Sequence, residues 1–560
     1  MVKVFDNITL RKSFSLDGIW NFIAADGDYK NGITGGEDIS VPSCWNCDPV
    51  HFHYEGAAWY EKDFITDAKN IRIVFEGVLN ECEVYLDGVK LGYHYGGFSE
   101  FAMDVFDLEP GEHKLCVRVD NTHDDMNTIP LDRVDWYHYG GIFRSVSIIE
   151  LADVYIHAHL ISYELSEDLK DVTLCAKMAL NSFEKKTVNA KFMLDGAVLA
   201  EKTVDVDGHT DVVFDDVEVK YIRLWDIGKG ELYKAELVID DDSICEMIGF
   251  RKVEARGRDI YLNNRPIKIK GVNRHEEHAD WGFAMPANLI KRDIDLIIRT
   301  GCNAIRASHY QNSRFTLDYC DKKGILFWEE IPMWGFKKPE VLANPVVIER
   351  GLGMHRELIT AHYHHPCIIF WGMHNEINTT CPEGYAITKK FSDLVRSLDN
   401  SRLITFASDM PLDDICMSLC DVASVNAYYG WYRGTVDDWP EFLKQFRAKL
   451  VSEGLEKPFI MSEFGAGGIY GTHSFDKQVW SEEYQEEYLR KTLELFTKDD
   501  DLAGTYIWQF CDIRSSKNMQ LSRPRSFNNK GLVNEFRRPK LVYHTVQKIY
   551  SETKDTKYVK

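Results

Sequence analysis

The sequence lacks the features that direct a chain into or across a membrane. In a chain of 560 residues, no apolar run approaches the roughly 18 residues that a membrane-spanning helix requires. The first residues, MVKVFDNITLRKSF, contain no apolar core and no small-residue cleavage site, so they do not resemble a secretory signal. We therefore expect no membrane partner and a cytoplasmic location.

Basic residues are in deficit. The chain has 66 Lys and Arg against 88 Asp and Glu, a formal net charge of -22. This balance disfavours nucleic acids and membrane surfaces as general partners, because both are anionic. Residues 514–540 depart from this acidic balance, since they contain eight Lys and Arg and one acid, Glu535. Such a stretch is ordinarily a solvated basic face.

A disulfide framework and a metal-binding motif are also missing. The 13 cysteines are an odd number without framework spacing. Cys302, Cys320 and Cys367 lie in apolar contexts, which predicts free buried thiols in a reducing compartment. No HExxH helix is present, and we predict neither a metal site nor a cofactor.

The N-terminal half of the chain has the pattern of β-strands. The length of the whole chain predicts three or four domains. Within residues 1–151, segments such as 71–78 and 82–92 alternate apolar and polar residues, and the Asp87–Gly88 pair marks a hairpin. Residues 152–254 repeat the pattern with shorter strands. We predict two β-sandwiches, the second smaller than the first.

From about residue 255 the pattern changes to short apolar runs that alternate with amphipathic segments of helical period. The runs are 267–272, 303–308, 325–330, 367–373, 403–408, 422–428, 459–464 and 504–510. Eight strands, mostly followed by helices, predict a (β/α)8 TIM barrel over residues 255–560. In that fold the chemistry lies at the carboxyl ends of the strands.

Two glutamates lie at the ends of predicted barrel strands. Glu376 follows the fourth strand, and Glu463 ends the seventh. These strands face each other across a barrel, so both carboxyls can reach one pocket. Two carboxyls about 5 Å apart suit a retaining glycosidase, in which one attacks the anomeric carbon and the other protonates the leaving oxygen. Asn375 precedes Glu376, and its amide suits a bond to the sugar 2-hydroxyl.

Other polar residues near the strand ends have two readings. For each glutamate alone, a structural strand-end carboxylate is the alternative. Glu330, at the end of the third strand, is expected to be structural. Arg306 and His309 suit either the barrel core or the surroundings of the pocket. The raised pKa that an acid/base needs has two candidate sources: the charge of Glu463, or apolar walls from Trp371 or Trp508.

Several segments resemble family 2 glycoside hydrolases, which include β-galactosidases, β-mannosidases and β-glucuronidases. They are GVNRHEEHAD (271–280), NAIRASHY (303–310), HHPCIIFWGMHNE (364–376), FIMSEFG (459–465), YIWQFCD (506–512), DGIWNF (17–22) and HYGGIFRSV (138–146). The resemblance implies a jelly-roll domain (1–151), an immunoglobulin-like domain (152–254) and a catalytic barrel (255–560). It also implies that Glu376 is the acid/base, that Glu463 is the nucleophile, and that no metal is required.

Three further segments are similar to bacterial β-glucuronidases: NAYYGWY (426–432), WSEEYQ (480–485) and NNKGLVNEFRRPK (528–540). The resemblance implies that Asn528 and Lys530 hold the C6 carboxylate of the sugar through charge-assisted hydrogen bonds. A neutral hexose would leave a buried Lys530 unpaired, which is how such a site rejects galactose. The expected substrate is a small-molecule or oligosaccharide β-glucuronide.

The same resemblance extends the pocket and shows one departure. It implies substrate-binding roles for Asp135, His275, Tyr428, Tyr432 and Trp508. The glucuronidases often carry an Arg where this chain has Pro524, so Arg523 or Arg525 is left as its substitute. By elimination, Arg537, Arg538 and Lys540 are expected to remain a solvated basic face.

Alternative functions remain open at this stage. A β-galacturonidase or β-galactosidase fits the same motifs, because a sequence does not show the orientation of the sugar 4-hydroxyl. A non-catalytic carbohydrate-binding protein would not need a carboxyl pair. Nucleic-acid binding by residues 514–540 is disfavoured, because regular aromatic interleaving is absent there. Family analogy suggests a homo-oligomer, a dimer or a tetramer.

Overall fold

The computed structural model describes residues 3–557. The strands of its N-terminal region are β1 (Ser13–Ser15), β2 (Gly18–Ile23), β3 (Glu37–Val41), β4 (Ala57–Thr66), β5 (Ile71–Phe75), β6 (Val78–Leu79), β7 (Glu81–Leu86), β8 (Val89–Tyr95), β9 (Phe101–Val105), β10 (Gly111–Asp120), β11 (Gly141–Ile142) and β12 (Val146–Glu150).

These strands form a β-sandwich. One sheet has the order β1-β12-β5-β9, and the other has the order β3-β2-β4-β10-β7-β8. Ile71, Ile73 and Phe75 of β5 are buried, because successive side chains of a strand point to opposite faces. Val117 of β10 belongs to the same hydrophobic cluster, so both sheets enclose one core. The predicted sandwich is confirmed.

A second, smaller β-sandwich follows. Its strands are β13 (Val154–Leu165), β14 (Val172–Ser182), β15 (Lys186–Leu194), β16 (Ala197–Val206), β17 (His209–Val219), β18 (Tyr233–Ile239) and β19 (Asp242–Ile248). The sheet β13-β14-β17 faces the sheet β16-β15-β18-β19. Leu174, Phe192 and Leu237 share their common core. A small sheet, β20 (Val253–Arg256), β21 (Asp259–Leu262) and β22 (Arg265–Ile267), leads into the C-terminal region.

The C-terminal region is a closed parallel barrel. Its strands are β23 (Ile269–Arg274), β24 (Ala304–Ala307), β25 (Leu326–Glu330), β26 (Ile368–Asn375), β27 (Leu403–Ser408), β28 (Val422–Asn426), β29 (Phe459–Phe464) and β30 (Gly504–Ile507). Closure pairs Ile269 of β23 with Gly504 of β30. The eight predicted apolar runs all form barrel strands, which confirms the predicted fold.

The helices around the barrel are α1 (Ala287–Arg299), α2 (Arg314–Lys323), α3 (Pro339–Leu342), α4 (Pro345–His362), α5 (Pro382–Leu398), α6 (Trp439–Ser452), α7 (Glu482–Phe496) and α8 (Leu541–Glu552). Between β27 and β28 the chain forms a 3-10 helix, Met417–Leu419. Helix α4 starts where the Asn344 side chain accepts from the Val346 N–H, a typical N-cap. None of the helices in the described range is long and apolar enough to cross a bilayer.

The N-terminal sandwich sends a loop to the carboxyl-terminal rim of the barrel. The Ser516 hydroxyl donates to the Val134 carbonyl at 2.6 Å. The Tyr139 hydroxyl donates to Glu277 Oε1 at 2.8 Å. Trp136, between these two contacts, is buried. On the same rim, β31 (Ile513–Arg514) pairs with β32 (Phe527–Asn528) in one antiparallel hairpin. The rim therefore combines barrel loops with a loop from the first sandwich.

Candidate active site

Glu376 and Glu463 lie at the carboxyl-terminal ends of two barrel strands. Glu463 is the penultimate residue of β29, and Glu376 directly follows β26. Asn426, the last residue of β28, connects them. It is the register partner of Glu463, and its side-chain amide donates to Glu376 Oε1 at 2.8 Å. The two carboxyls therefore belong to one connected site, as predicted.

The Glu463 carboxylate receives two strong hydrogen bonds. Arg306 Nη1 donates to Oε1 at 2.7 Å, and the Tyr428 hydroxyl donates to Oε2 at 2.7 Å. Burial raises the pKa of Glu463, whereas Arg306 and Tyr428 oppose that rise. Both donors favour the charged form. Each oxygen of this carboxyl therefore accepts one hydrogen bond that favours the anionic form.

Arg306 is the centre of a buried network. Besides Glu463, its guanidinium donates to Glu330 at 2.9 and 3.0 Å, to Asn273 Oδ1 at 3.0 Å and to Asn375 Oδ1 at 2.7 Å. A planar guanidinium suits such fixed multiple donation. The structure thus places Arg306 beside the carboxyl pair, one of the two readings that the sequence left open.

His309 and Glu330 complete that network. Glu330 is fully buried, and its Oε1 lies 2.7 Å from His309 Nδ1. Burial raises the pKa of Glu330 to about 7, against the opposing effect of Arg306. Its contacts to Arg306 and His309 are those of a carboxylate that orients its neighbours, in agreement with the structural role expected for it.

Glu376 has a different environment. Asn426 donates to one of its oxygens, and this neutral amide is a weaker donor than a guanidinium. Burial and the negative charge of Glu463 raise the pKa of Glu376 to about 8. Trp371, one of the two tryptophans proposed as an apolar wall, was a wrong choice. Its indole N–H donates to Asp399 at 2.8 Å, just beyond α5 on the helical side of the barrel.

Aromatic rings form one wall of the site. Trp508 stacks on His309 with ring centroids 5.1 Å apart, and it lies edge-to-face with His275 at a centroid distance of 5.5 Å. Trp136 approaches the same two histidines at 5.6 and 5.8 Å. Burial holds the pKa of His275 well below its usual value, so this ring is neutral. Predicted residues His275 and Trp508 therefore lie together.

Two polar side-chain atoms, one on this wall and one beside Arg306, have no partner in the described part of the chain. They are His275 Nε2 and Asn375 Nδ2, both buried. His275 Nδ1 lies 3.1 Å from the Tyr310 hydroxyl, which leaves Nε2 as its free nitrogen. Buried polar atoms are almost always hydrogen-bonded. Unpaired ones beside two carboxyls are therefore ready donors or acceptors for a polyhydroxylated ligand.

A cationic corner lies at the same rim. Lys530 Nζ donates to the Tyr432 hydroxyl at 2.8 Å. Arg523 Nη1 donates to the same hydroxyl at 3.2 Å, and its Nε and Nη2 bind Asp135 at 3.2 and 2.7 Å. Asn528 Nδ2 also donates to Asp135 at 2.8 Å. The structure thus brings the predicted residues Asp135, Tyr432, Asn528 and Lys530 together.

Lys530 has no ion-pair partner in the described part of the chain, although Asp135 of the same corner acts on it electrostatically. It is 2% exposed, and within residues 3–557 no carboxylate forms an ion pair with it. The rings of Tyr428, Trp431 and Tyr432 lie within 6 Å of its Nζ, at 5.8, 5.4 and 4.9 Å. Burial lowers the pKa of Lys530. A bound anion would compensate this buried charge.

The choice between Arg523 and Arg525 is decided by their partners. Arg523 binds Asp135 and Tyr432 of the corner, as described above. Arg525 instead pairs with Glu535 at 2.9 Å and donates to Asn529 at 2.9 Å. Arg523, and not Arg525, therefore lies beside Lys530 in the cationic corner.

The expectation of a solvated basic face is wrong for two of its three residues. Arg537 is buried and binds both oxygens of Asp293 at 2.9 and 3.0 Å. Lys540 is buried and binds Asp512 Oδ1 at 2.7 Å. Arg538 is exposed, as expected. Acidic partners far along the chain offset the cost of burying these charges, and no local pattern shows such partners.

Sequence reasoning also missed Asn426. Its only local signal is a polar residue at the end of the apolar strand β28.

Elsewhere, two groups of residues have metal-binding side chains: His159 with Glu246 and His364, and Asp318 with Asp321 and His365. The first is occupied by protein contacts. Arg314 binds Glu246 at 2.5 Å, and His364 Nε2 accepts the Ile161 N–H.

Comparison with known proteins agrees with this architecture. The model of the TIM barrel domain of glycosyl hydrolases family 2 matches residues 253–555. The sugar binding domain of that family matches residues 14–152, and a further family 2 model matches residues 154–251. The chain belongs to glycosyl hydrolase family 2. It is thus a glycoside hydrolase, and the predicted family is confirmed.

The relatives of the chain include several uronidases. A β-glucuronidase of Streptococcus agalactiae serotype V is 25% identical, over 96% of this chain and 96% of that protein. The crystal structure of a β-galacturonidase from Eisenbergiella tayi bound to galacturonate is 32% identical, with a TM-score of 0.93 over 99% of this chain and 100% of that one. A Bifidobacterium dentium β-glucuronidase complexed with coumarin-3-O-glucuronide is 25% identical, with a TM-score of 0.89 over 99% of both chains.

Proposed function

We propose that this glycoside hydrolase is an exo-acting, retaining β-hexuronidase that hydrolyses β-D-glucuronides or their galacturonide epimers. The observation that carries the proposal is Lys530, a buried cation that has no ion-pair partner in the described part of the chain, at the rim of a two-carboxylate site. A sugar that brings its own carboxylate supplies the missing charge. The family matches support the domain limits 1–151, 152–254 and 255–560 that we propose with it.

In the first step, Glu463 attacks the anomeric carbon and Glu376 protonates the leaving oxygen. Arg306 and Tyr428 hold Glu463 in its ionised form, which is the nucleophilic form. Burial and the charge of Glu463 keep the proton on Glu376. The glycosidic bond breaks, the aglycone leaves as an alcohol, and the sugar remains as an ester of Glu463.

In the second step, water replaces the aglycone. Glu376, now a carboxylate, takes a proton from the water while the water oxygen attacks the anomeric carbon. The ester bond breaks and Glu463 leaves as an anion, which restores both starting protonation states. Asn375 has a free Nδ2, which we assign to the sugar 2-hydroxyl, where a hydrogen bond strengthens in the transition state.

The sugar carboxylate binds in the cationic corner. Lys530 and Asn528 donate to its oxygens, Arg523 adds positive charge, and Tyr432 is shared between the two cations. Asp135 is bound by Arg523 and Asn528, and we assign it to the sugar hydroxyls near this corner. We assign His275 Nε2 and the Trp508 ring to the opposite wall of the sugar. A neutral galactoside leaves Lys530 unpaired, which disfavours a β-galactosidase and a neutral-sugar binding protein.

A β-galacturonidase is the second candidate. It is favoured by the 32% identity with the Eisenbergiella tayi protein, against 25% for the Bifidobacterium dentium one. The two sugars differ only in the orientation of the 4-hydroxyl, and both present a carboxylate to Lys530. The cationic corner therefore supports a uronate in either case, and the choice between the epimers is left to measurement.

The test compares initial rates on aryl β-glucuronide, β-galacturonide and β-galactoside at equal concentration. One uronide should exceed the galactoside by a factor of about 100 or more, the size of effect that a desolvated charge pair produces. Lys530→Met should lower kcat/KM for that uronide by a similar factor and change the galactoside rate only slightly. Arg538→Met, an exposed basic residue on the same segment, is the matched control.

Two results contradict the proposal. If the galactoside is the fastest substrate, the uronate assignment is wrong. If Lys530→Met reduces uronide and galactoside turnover equally, Lys530 is not the group that selects the carboxylate.

A further inference from the structure

Lys337 and Asp409 form an ion pair between the two segments that flank the end of β26, the strand that Glu376 follows. Lys337 lies in the segment after β25, and Asp409 directly follows β27. Lys337 Nζ donates to the two Asp409 oxygens at 2.8 and 2.7 Å. Since β26 lies between β25 and β27 in the barrel, the pair connects the two loops that flank Glu376.

The backbone around Glu376 is bound to the same two loops. On one side, the Glu376 N–H donates to the Ala407 carbonyl at 2.9 Å. On the other side, Asn378 donates its N–H to the Phe336 carbonyl at 2.8 Å and its side-chain amide to the Lys337 carbonyl at 3.2 Å. Glu376 has a φ of 50°, a conformation that a non-glycine residue keeps only where its surroundings enforce it.

Both charges of the pair act on the Glu376 carboxyl. After burial and the charge of Glu463, Asp409 is the next influence that raises the pKa of Glu376, whereas Lys337 and the Asn426 amide lower it. The Lys337 and Asp409 side chains are 44% and 30% exposed. The pair is therefore partly exposed to solvent, whereas the Glu376 carboxyl that it acts on is penalised by burial.

We propose that Lys337 and Asp409 are positioning residues for the leaving-group step. Their ion pair clamps the loop of Glu376 between its neighbours and balances the charge beside its carboxyl. The proposal rests on the proposed function, because it takes Glu376 as the acid/base. Neither side chain touches the reacting atoms. Loss of one member leaves the charge of the other uncompensated beside Glu376.

The test measures kcat/KM against pH with an aryl uronide for Asp409→Asn, Lys337→Met and the double variant. The basic limb of this profile reports ionisation of the acid in the free enzyme. Asp409→Asn leaves Lys337 unpaired, so Glu376 loses its proton more easily and the limb moves to lower pH. Lys337→Met leaves Asp409 unpaired, so the limb moves to higher pH. Each shift should be about half a pH unit.

The double variant should return the limb close to its original position, because both charges are gone. The control pair is Lys389 and Asp393, which are 2.7 Å apart on the exposed face of α5. Lys389→Met and Asp393→Asn should leave the limb where it is. Melting temperatures are measured alongside, and Lys337→Gln or Asp409→Ser makes the same charge change if a first variant does not fold.

The proposal is overturned if the two single variants move the limb in the same direction. It is also overturned if neither moves the limb more than the control pair does. Glu376→Gln, tested on good and poor leaving groups, separates this failure from that of the proposed function. If Glu376→Gln behaves as the loss of an acid and the pair variants show no shift, only the inference about Lys337 and Asp409 fails.

Discussion

The ends of β26 and β29 present the same side chain in two different settings. Glu463, on β29, accepts hydrogen bonds from the cationic Arg306 and from the hydroxyl of Tyr428. Glu376, after β26, accepts one from the neutral amide of Asn426. Burial raises the pKa of both carboxyls, so burial does not distinguish them. The donors distinguish them, and this difference supports the proposed roles of Glu463 as the anion and Glu376 as the acid.

The protonation state of one carboxyl also depends on the charge of the other. The charge of Glu463 is the second-largest influence on the pKa of Glu376. Keeping Glu463 ionised therefore keeps Glu376 protonated, because two neighbouring carboxyls do not readily ionise together. Arg306 donates directly to Glu463 and also to Asn375, the residue before Glu376 in the chain.

The largest effect is expected from removal of the anionic carboxyl. Glu463→Ala should lower kcat by roughly 10⁴-fold or more, because the covalent intermediate is no longer formed. Added azide, a small anion that fits the vacated space, should restore aryl release and give a product of inverted anomeric configuration by NMR. Appreciable turnover without azide, with retained configuration, would show that another group is the nucleophile.

Removal of the protonated carboxyl should depend on the leaving group. Glu376→Gln should lower kcat/KM by about 10²–10⁴-fold for an alkyl uronide, whose leaving oxygen needs a proton. A 4-nitrophenyl uronide should lose much less in the first chemical step, since its phenolate leaves unaided. Pre-steady-state release of the phenol measures that step. Equal losses in glycosylation of the enzyme by both substrates contradict the acid role.

Replacement of Arg306 should reduce the difference in hydrogen-bond donors between Glu463 and Glu376. Arg306→Lys removes the planar fork that binds Glu463, Asn375 and Glu330 at once. Without this donor the pKa of Glu463 rises, so activity on the acidic side is lost at a higher pH than in the unaltered protein. We expect a loss of about 10- to 100-fold in kcat and an alkaline shift of the acidic limb. An unmoved acidic limb would contradict this role.

The smallest effect tests the electrostatic link itself. Glu463→Gln removes one negative charge and keeps the shape of the side chain. The pKa of Glu376 should then fall from about 8 by roughly one unit, because the group loses a like-charged neighbour. A carbon-13 NMR titration of the labelled carboxyl, with Glu376→Gln to assign the signal, measures it. A pKa that stays near its original value would show that the charge of Glu463 is not one of its causes.

The fold was largely predictable because its signals are local. The alternation of β5 and the apolar runs of β26 and β29 arise from which neighbouring residues are buried, and a run of eight such strands implies closure. The sequence does not show the 3-10 helix between β27 and β28 or the loop that places Trp136 on the barrel. Both depend on packing between segments distant in the chain.

The candidate site was predictable in part. Glu376 and Glu463 follow strong strand patterns, so their placement at one rim follows from the barrel. Arg306 had two readings, because an arginine in a barrel strand shows nothing locally about its partners. Asn426 was missed for the same reason.

The sequence by itself determined the order of strands and the positions of the two carboxyls within it, since both follow from short-range periodicity. Only the tertiary structure decided which basic residues of the 514–540 stretch serve the site. Arg523 meets Asp135 across 388 positions and Asn528 meets it across 393, whereas Arg537 and Lys540 are buried against other acids. An acidic partner offsets the cost of burying Arg537 and Lys540, and only the folded chain shows which acid that is.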